Sequence, residues 1–358
     1  MDTTKLLHDL SESTGISGDE EEPREIAREA LIPFTNEQRV DALGNLITLK
    51  RGTRPAQVPR RSIMLAAHMD EIGLMVTDFD EEFLRFTMVG GVDTRTILGQ
   101  EVTVHGKRPL PGIVASRPPH VLPEAEREKP LPLEKLFIDV GASSEQIREL
   151  VQVGDFITMR RDFLSLAKGY ASGKALDDRA GVVTLVGCME TLSTVQHSWD
   201  VYAVATSQEE VGLRGAMVSA CGTAPDISIA VDVGFGQQQG VEEKEAISMD
   251  EGGAIGIGPN FHPLMVQRLI ETADKYEVKH QKEIVPGRSG TDAWAIQVAR
   301  EGIPTALISI PLRYMHTSVE TICLKDIDRI ARLMALFIAD LDQGFAETLG
   351  LPKGGERI

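Results

Sequence analysis

Within RSIMLAAHMDEIG the chain is apolar without a break from Ile63 to Ala67, then turns to His68 and Asp70. An unbroken run of this kind belongs to a strand covered on both faces, since a strand with one wet face alternates. Helices must therefore flank it. After Tyr170 the sequence supplies them in alternation: a helix over 178–192, strands VYAVAT and ISIAVDVG, a helix over 262–278, strand PTALISI and an amphipathic helix over 325–342. Strands alternating with helices predict an α/β fold, a mostly parallel sheet covered by helices on both faces. An earlier helix is expected near 19–31, where Ser17 and Glu20 have capping-box spacing ahead of PREIAREALIPF.

From about Leu74 to Arg161 the texture changes to short β-rich pieces, FLRFTMV, EVTVHG, KLFIDVG and DFITMRR, separated by Gly, Pro and Asp turns. The α/β domain is thus interrupted by a small inserted β-rich domain. The expected division is 1–73 and 166–358 for the α/β domain and 74–165 for the insert. Inside the insert, RPPHVLPEAEREKPLPLE has neither period and few large apolar residues, and is read as a mobile loop. The terminal LPKGGERI is read as a frayed tail.

Charge narrows the partners. Lys and Arg number 37 against 54 Asp and Glu, a formal charge of −17, which repels a phosphate backbone and argues against nucleic acid. The start MDTTKLLHDL mixes Asp2, Lys5 and Asp9 into its apolar positions, unlike a secretory leader, and no apolar stretch is long enough to span a membrane. Cys188, Cys221 and Cys323 form no CxxC pair, which fits a reduced cytoplasm.

The unusual polar residues follow the apolar strands, where open α/β sheets build their sites. They are His68 with Asp70, Asp177-Asp178, Glu209-Glu210, Asp232, and His316 in RYMHTSVE. Alone, each has a plain reading: a His-x-Asp pair is usually a hydrogen-bond pair, and acidic dipeptides usually mark solvated faces. Position argues otherwise, because ionised carboxylates at buried strand ends are costly unless paired or metal-bound. Imidazoles with carboxylates suit zinc or cobalt, and one carboxylate can serve two ions with its two oxygens. His8, His105, His120, His197, His262 and His280 lack such a setting and are read as structural.

AAHMDEIG, SGKALDDRAG, SQEEVGLRGA, AVDVG, GTDA and RYMHTSVE occur in this order, and with TGISGDEEEPREI they closely resemble the tetrahedral (TET) aminopeptidases over nearly the whole chain. The resemblance implies a zinc-peptidase fold and two divalent transition-metal ions per chain, Zn²⁺ or Co²⁺. It makes Asp177 the carboxylate shared between them, with His68 and Asp232 completing one ion and Glu210 and His316 the other. Glu209 becomes the general base, Asp70 the acid that orients His68, and Asp178 a support. Gly290, Thr291 and Asp292 lie near the substrate in the family, and Ser289 stands where members commonly have glycine. The implied reaction is hydrolysis of the N-terminal bond of short peptides by a water activated between two cations, with Glu209 passing its proton to the leaving amine. A two-metal carboxypeptidase or deacylase could use the same ligands, and a catalytically dead peptide-binding scaffold would lack one of them. An endoglucanase would need two free carboxylates and no metal. The inserted domain implies dimers that build a hollow tetrahedral dodecamer.

Overall fold

The computed structural model describes residues 1–54, 60–124 and 131–351. Numbering strands along the chain, the centre of an 11-stranded sheet is formed by β12 (Asp200–Thr206), β3 (Ser62–His68), β13 (Ile227–Phe235) and β16 (Thr305–Arg313), all parallel. On one side β2 (Leu46–Lys50) and β1 (Glu37–Val40) continue it, and on the other β17 (Glu320–Cys323), β11 (Tyr170–Gly173) and β10 (Leu164–Ser165). A spur of β14 (Ala254–Ile257) and β15 (Gln281–Ile284) joins β16.

The expectation of a mostly parallel sheet is corrected, because both flanks and the β14–β16 pairing are antiparallel and the sheet is mixed. The reason lies in the connections. A parallel pair needs a long crossover, whereas β1–β2, β10–β11 and β16–β17 are each joined by a tight turn that can only fold the chain back.

Strand β3 shows why the apolar run is continuous. Ile63, Leu65 and Ala67 face one core, with the helices Leu176–Thr191 and Leu324–Ala339, while Met64 and Ala66 face a second, with Ala216, Ala220, Ala295 and Ile296 of the helices Arg214–Thr223 and Asp292–Gln297. Both faces are dry. Five buried residues of about 1.5–3 kcal/mol each for the larger ones anchor this strand at the middle of the domain.

Between β3 and β10 the chain makes a closed barrel of β4 (Gly73–Asp80), β5 (Phe83–Val89), β6 (Glu101–His105), β7 (Pro109–Ser116), β8 (Leu136–Asp139) and β9 (Phe156–Met159), in the order β4-β5-β8-β7-β6-β9. It has its own core, including Leu74, Val76, Val104, Val114, Ile138 and Ile157. Strand β10 pairs with β11 and so belongs to the main sheet. Part of the expected mobile loop, residues 125–130, and nearly all of the expected frayed tail, residues 352–358, lie outside the described residues.

The first predicted helix runs from Glu21 to Leu31, but its capping box is absent: the N-cap is Glu20, with no side-chain cap. Ser17 Oγ instead donates to Asp70 Oδ2 at 2.6 Å, and Glu20 Oε1 accepts from Gly18 N at 2.6 Å and Gln208 N at 3.1 Å. Free amides and a carboxylate at the sheet end outbid the helix terminus. Among the described residues no helix is long and apolar enough to cross a membrane, and Cys188, Cys221 and Cys323 are unpaired.

Candidate active site

The carboxyl ends of the parallel strands bring the predicted residues together. His68 ends β3 in register with Thr206 of β12, and the turn that follows β12 carries Glu209 and Glu210. Asp232 lies near the end of β13, Asp177 opens the helix after β11, and His316 sits in the turn between β16 and β17. That turn and the Glu209 turn are held in the left-handed region at His316 (φ 61) and Gln208 (φ 54), a cost non-glycine residues bear where the surroundings fix it.

Asp70 organises this corner. Its Oδ1 accepts from Glu209 N at 3.0 Å and its Oδ2 from Glu210 N at 3.2 Å and from Ser17. His68 Nδ1 meets the Asp70 carbonyl at 3.1 Å, closer than the Asp70 carboxylate at 3.6 Å. His316 Nδ1 meets the Gly91 carbonyl at 2.9 Å. A carbonyl only accepts, so both Nδ1 atoms carry protons and both Nε2 atoms are left to face inward.

What they face is Asp177. His68 Nε2 lies 3.1 Å from Asp177 Oδ1, and His316 Nε2 lies 3.4 Å from Oδ2 and 3.6 Å from Glu210 Oε1. An imidazole lone pair and a carboxylate at such distances repel unless a proton or a metal ion lies between them. Two donor groups result, each with atoms within 4.8 Å of one another: His68, Asp178 and Asp232, and Asp177, Glu210 and His316. Glu209 also falls within reach of His68 and Glu210. Asp178 is buried with them: its Oδ1 accepts from Gly181 N at 3.0 Å and its Oδ2 has no hydrogen-bond partner.

The electrostatics agree. Burial, and then the Asp232, Asp292 and Glu210 charges, push Glu209 up to about 11, although His68 opposes them. Burial and Asp177 bring Glu210 to about 7. Asp178 and Asp232 rise well above the carboxylate range, burial again leading. Burial would raise Asp177 too, but hydrogen bonds to His316 and His68 hold it low. Among the described residues these acids have no lysine or arginine in ion-pair contact. Such a cluster stays ionised at neutral pH only with more positive charge than two imidazoles supply, and imidazole with carboxylate is the donor set of zinc-like ions.

Sequence reasoning missed Glu320, the last residue of RYMHTSVE. Buried, it accepts from Asp177 N at 3.0 Å through Oε2 and from His316 N at 2.9 Å through Oε1, fixing the backbones of two donors. It missed Gly91 as well, a residue of the segment after β5 whose missing Cβ would lie 2.7 Å from His316 Nδ1. Behind the site Glu71 joins Lys174 at 2.7 Å and Arg179 at 3.2 Å, all buried.

His68, Asp177, Glu209, Glu210, Asp232 and His316 open into a cleft of ≈ 800 Å³, while Asp178 lies buried behind them. Gly290, Thr291 and Ser289 line it, whereas Asp292 is buried away from it, accepting from Thr206 Oγ1 at 2.6 Å. The six histidines read as structural stay out of the donor groups; His105, for example, bonds Thr158 of the neighbouring strand β9 and His197 the Trp199 carbonyl.

Residues 44–333 match the family described as M42 glutamyl aminopeptidase. The lysyl aminopeptidase of Pyrococcus furiosus is 35% identical over 94% of this chain and 97% of its own length. Among solved structures, the TET aminopeptidase of a Thaumarchaeota archaeon from marine sediment superposes with a TM-score of 0.91 at 34% identity, covering 97% of this chain and 98% of the other. The Pyrococcus horikoshii TET1 peptidase, described as assembling into a tetrahedron or a large octahedral shell, gives 0.82 at 32% identity over 95% of this chain and 100% of the other. On the family match over residues 44–333 and this likeness over nearly its whole length, the chain belongs to the M42 family of aminopeptidases.

Proposed function

We propose that the chain removes N-terminal residues from short peptides with two divalent metal ions and Glu209 as general base. The observation that carries this is Asp177, whose two oxygens face the two inward Nε2 atoms, one in each donor group. His68, Asp178 and Asp232 would hold one ion, Glu210 and His316 the other, and Asp177 both. When bound, such ions lower the pKa of a water and polarise the scissile carbonyl.

The chain's own groups do the rest. Glu209, its amide pinned by Asp70, takes the proton of the attacking water and returns it to the leaving amine. Positive charge among these acids pulls Glu209 from its burial-raised pKa back toward the carboxylate that a base requires. Asp70 and Gly91 hold the imidazole tautomers, and Glu320 the backbones of Asp177 and His316. The inserted barrel serves self-association into dimers and a tetrahedral dodecamer, supported by the shells described for related structures. The reduced cysteines suit work in the cytoplasm.

The test is chelation followed by reloading. Metal-free protein should be inactive on aminoacyl anilides, and Zn²⁺ or Co²⁺ should restore turnover as occupancy approaches about two ions per chain. Unblocked peptides should shorten one residue at a time and acetylated ones resist. Full activity without metal overturns the mechanism, and cleavage of acetylated substrates moves the chain to the deacylases.

A further inference from the structure

One part of the cleft's lining, beside the metal donors, is left unused by the proposed chemistry. It lies one strand over from a donor, since Ser309 of β16 is the register partner of Asp232. Val233, Ile247 and Leu307 give it apolar walls. Glu283 of β15 lines it too, and its Oε2 accepts from Ser309 Oγ at 2.6 Å. Gly234 makes room for it: a Cβ there would come within 3.3 Å of Glu283 Oε1 and 2.5 Å of Ile247 Cδ1. Among the described residues Glu283 has neither an ion-pair partner nor a hydrogen bond on Oε1.

Other charges line the cleft, but they sit in water. Lys244 is exposed and paired to Glu242 at 2.8 Å, Lys282 is exposed beside Glu283 on the alternate face of β15, and exposed Arg288 stacks over Trp294 at 3.9 Å. Solvent screens such rim charges, whereas a half-buried carboxylate interacts across a lower dielectric. Burial also raises the Glu283 carboxyl, opposed by the Ser309 hydrogen bond, so a cation that fits beside it is favoured.

We infer that this part of the cleft receives the side chain of the substrate's first residue and that Glu283 selects lysine or arginine there. The inference rests on the aminopeptidase reading of the donor site. The aliphatic stem lies against Val233, Ile247 and Leu307 while the ammonium or guanidinium reaches Glu283 Oε1 in a charge-assisted hydrogen bond. An acidic side chain meets a like charge at the same place.

Norleucine isolates the effect, because it keeps the straight stem and drops the ammonium. The metal-loaded protein should hydrolyse lysyl anilide with a kcat/KM roughly 30-fold or more above norleucyl anilide, with glutamyl anilide lower still. Glu283→Gln should shrink the lysine-to-norleucine ratio to within a few-fold, with melting temperature and bound metal reporting that the variant is folded. Glu283→Lys should tip the preference toward glutamyl anilide. A wild-type ratio near one overturns the selectivity whether or not either variant folds, and so does an unchanged ratio in a folded Glu283→Gln. Failure to cleave any free-amine anilide instead overturns the aminopeptidase reading and the selectivity with it.

Discussion

At Glu209 the backbone and the side chain answer to different neighbours: the amide is fixed by Asp70, and the carboxyl is buried among Asp232, Asp292 and Glu210. That separation allows the side chain to be altered without moving the turn. Glu209→Gln should keep its metal and lose roughly 10²–10⁴-fold in kcat. Metal loss with normal turnover per loaded chain would make Glu209 a ligand. The sequence marks this residue and Glu210 as an acidic pair after an apolar strand, His68 and Asp232 as polar residues ending apolar runs, Asp177 as an acidic pair at a helix start, and His316 by the motif RYMHTSVE. It hides Glu320, since a glutamate that accepts two backbone amides leaves no spacing or charge pattern behind. It also misplaces Asp292, whose position next to Gly290 and Thr291 says nothing of its turning inward to Thr206.

Elements were legible in proportion to their apolar periodicity. The helix expected over 178–192 is found at Leu176–Thr191, and that over 325–342 at Leu324–Ala339. Strands β1, β10 and β11, with at most two large apolar residues each, were invisible, and with them went the antiparallel flanks. Equally hidden was the tie between elements at Glu71, which follows β3 and meets Lys174 after β11 and Arg179 in the helix. Arg179 in turn donates to the carbonyls of Leu10 and Ser13, binding the N-terminal segment to the back of the site. Glu71→Gln would leave two buried cations facing each other and should cost about 3–5 kcal/mol, read as a lowered unfolding midpoint. A loss below about 1 kcal/mol would show that the backbone carbonyls alone balance them.

For the whole molecule, the insert is a quarter of the chain and was readable as β-rich but not as closed, because barrel closure depends on the pairing of β4 with β9 across most of its length. Light scattering on metal-loaded protein should give a closed homo-oligomer, a dodecamer built of dimers, and a lone monomer at micromolar concentration would refute the assembly. The Gly91 carbonyl carries a separate consequence. A miniaturised chain that keeps Asp70 and Glu71 and splices Ile72 directly to β10 would discard the acceptor that sets the His316 ring, and Gln100, which takes the Ser318 hydroxyl at 2.7 Å and braces the same turn. Grafting a foreign barrel into this scaffold therefore has to reproduce one carbonyl and one amide side chain at the seam, whatever the graft does for its partners.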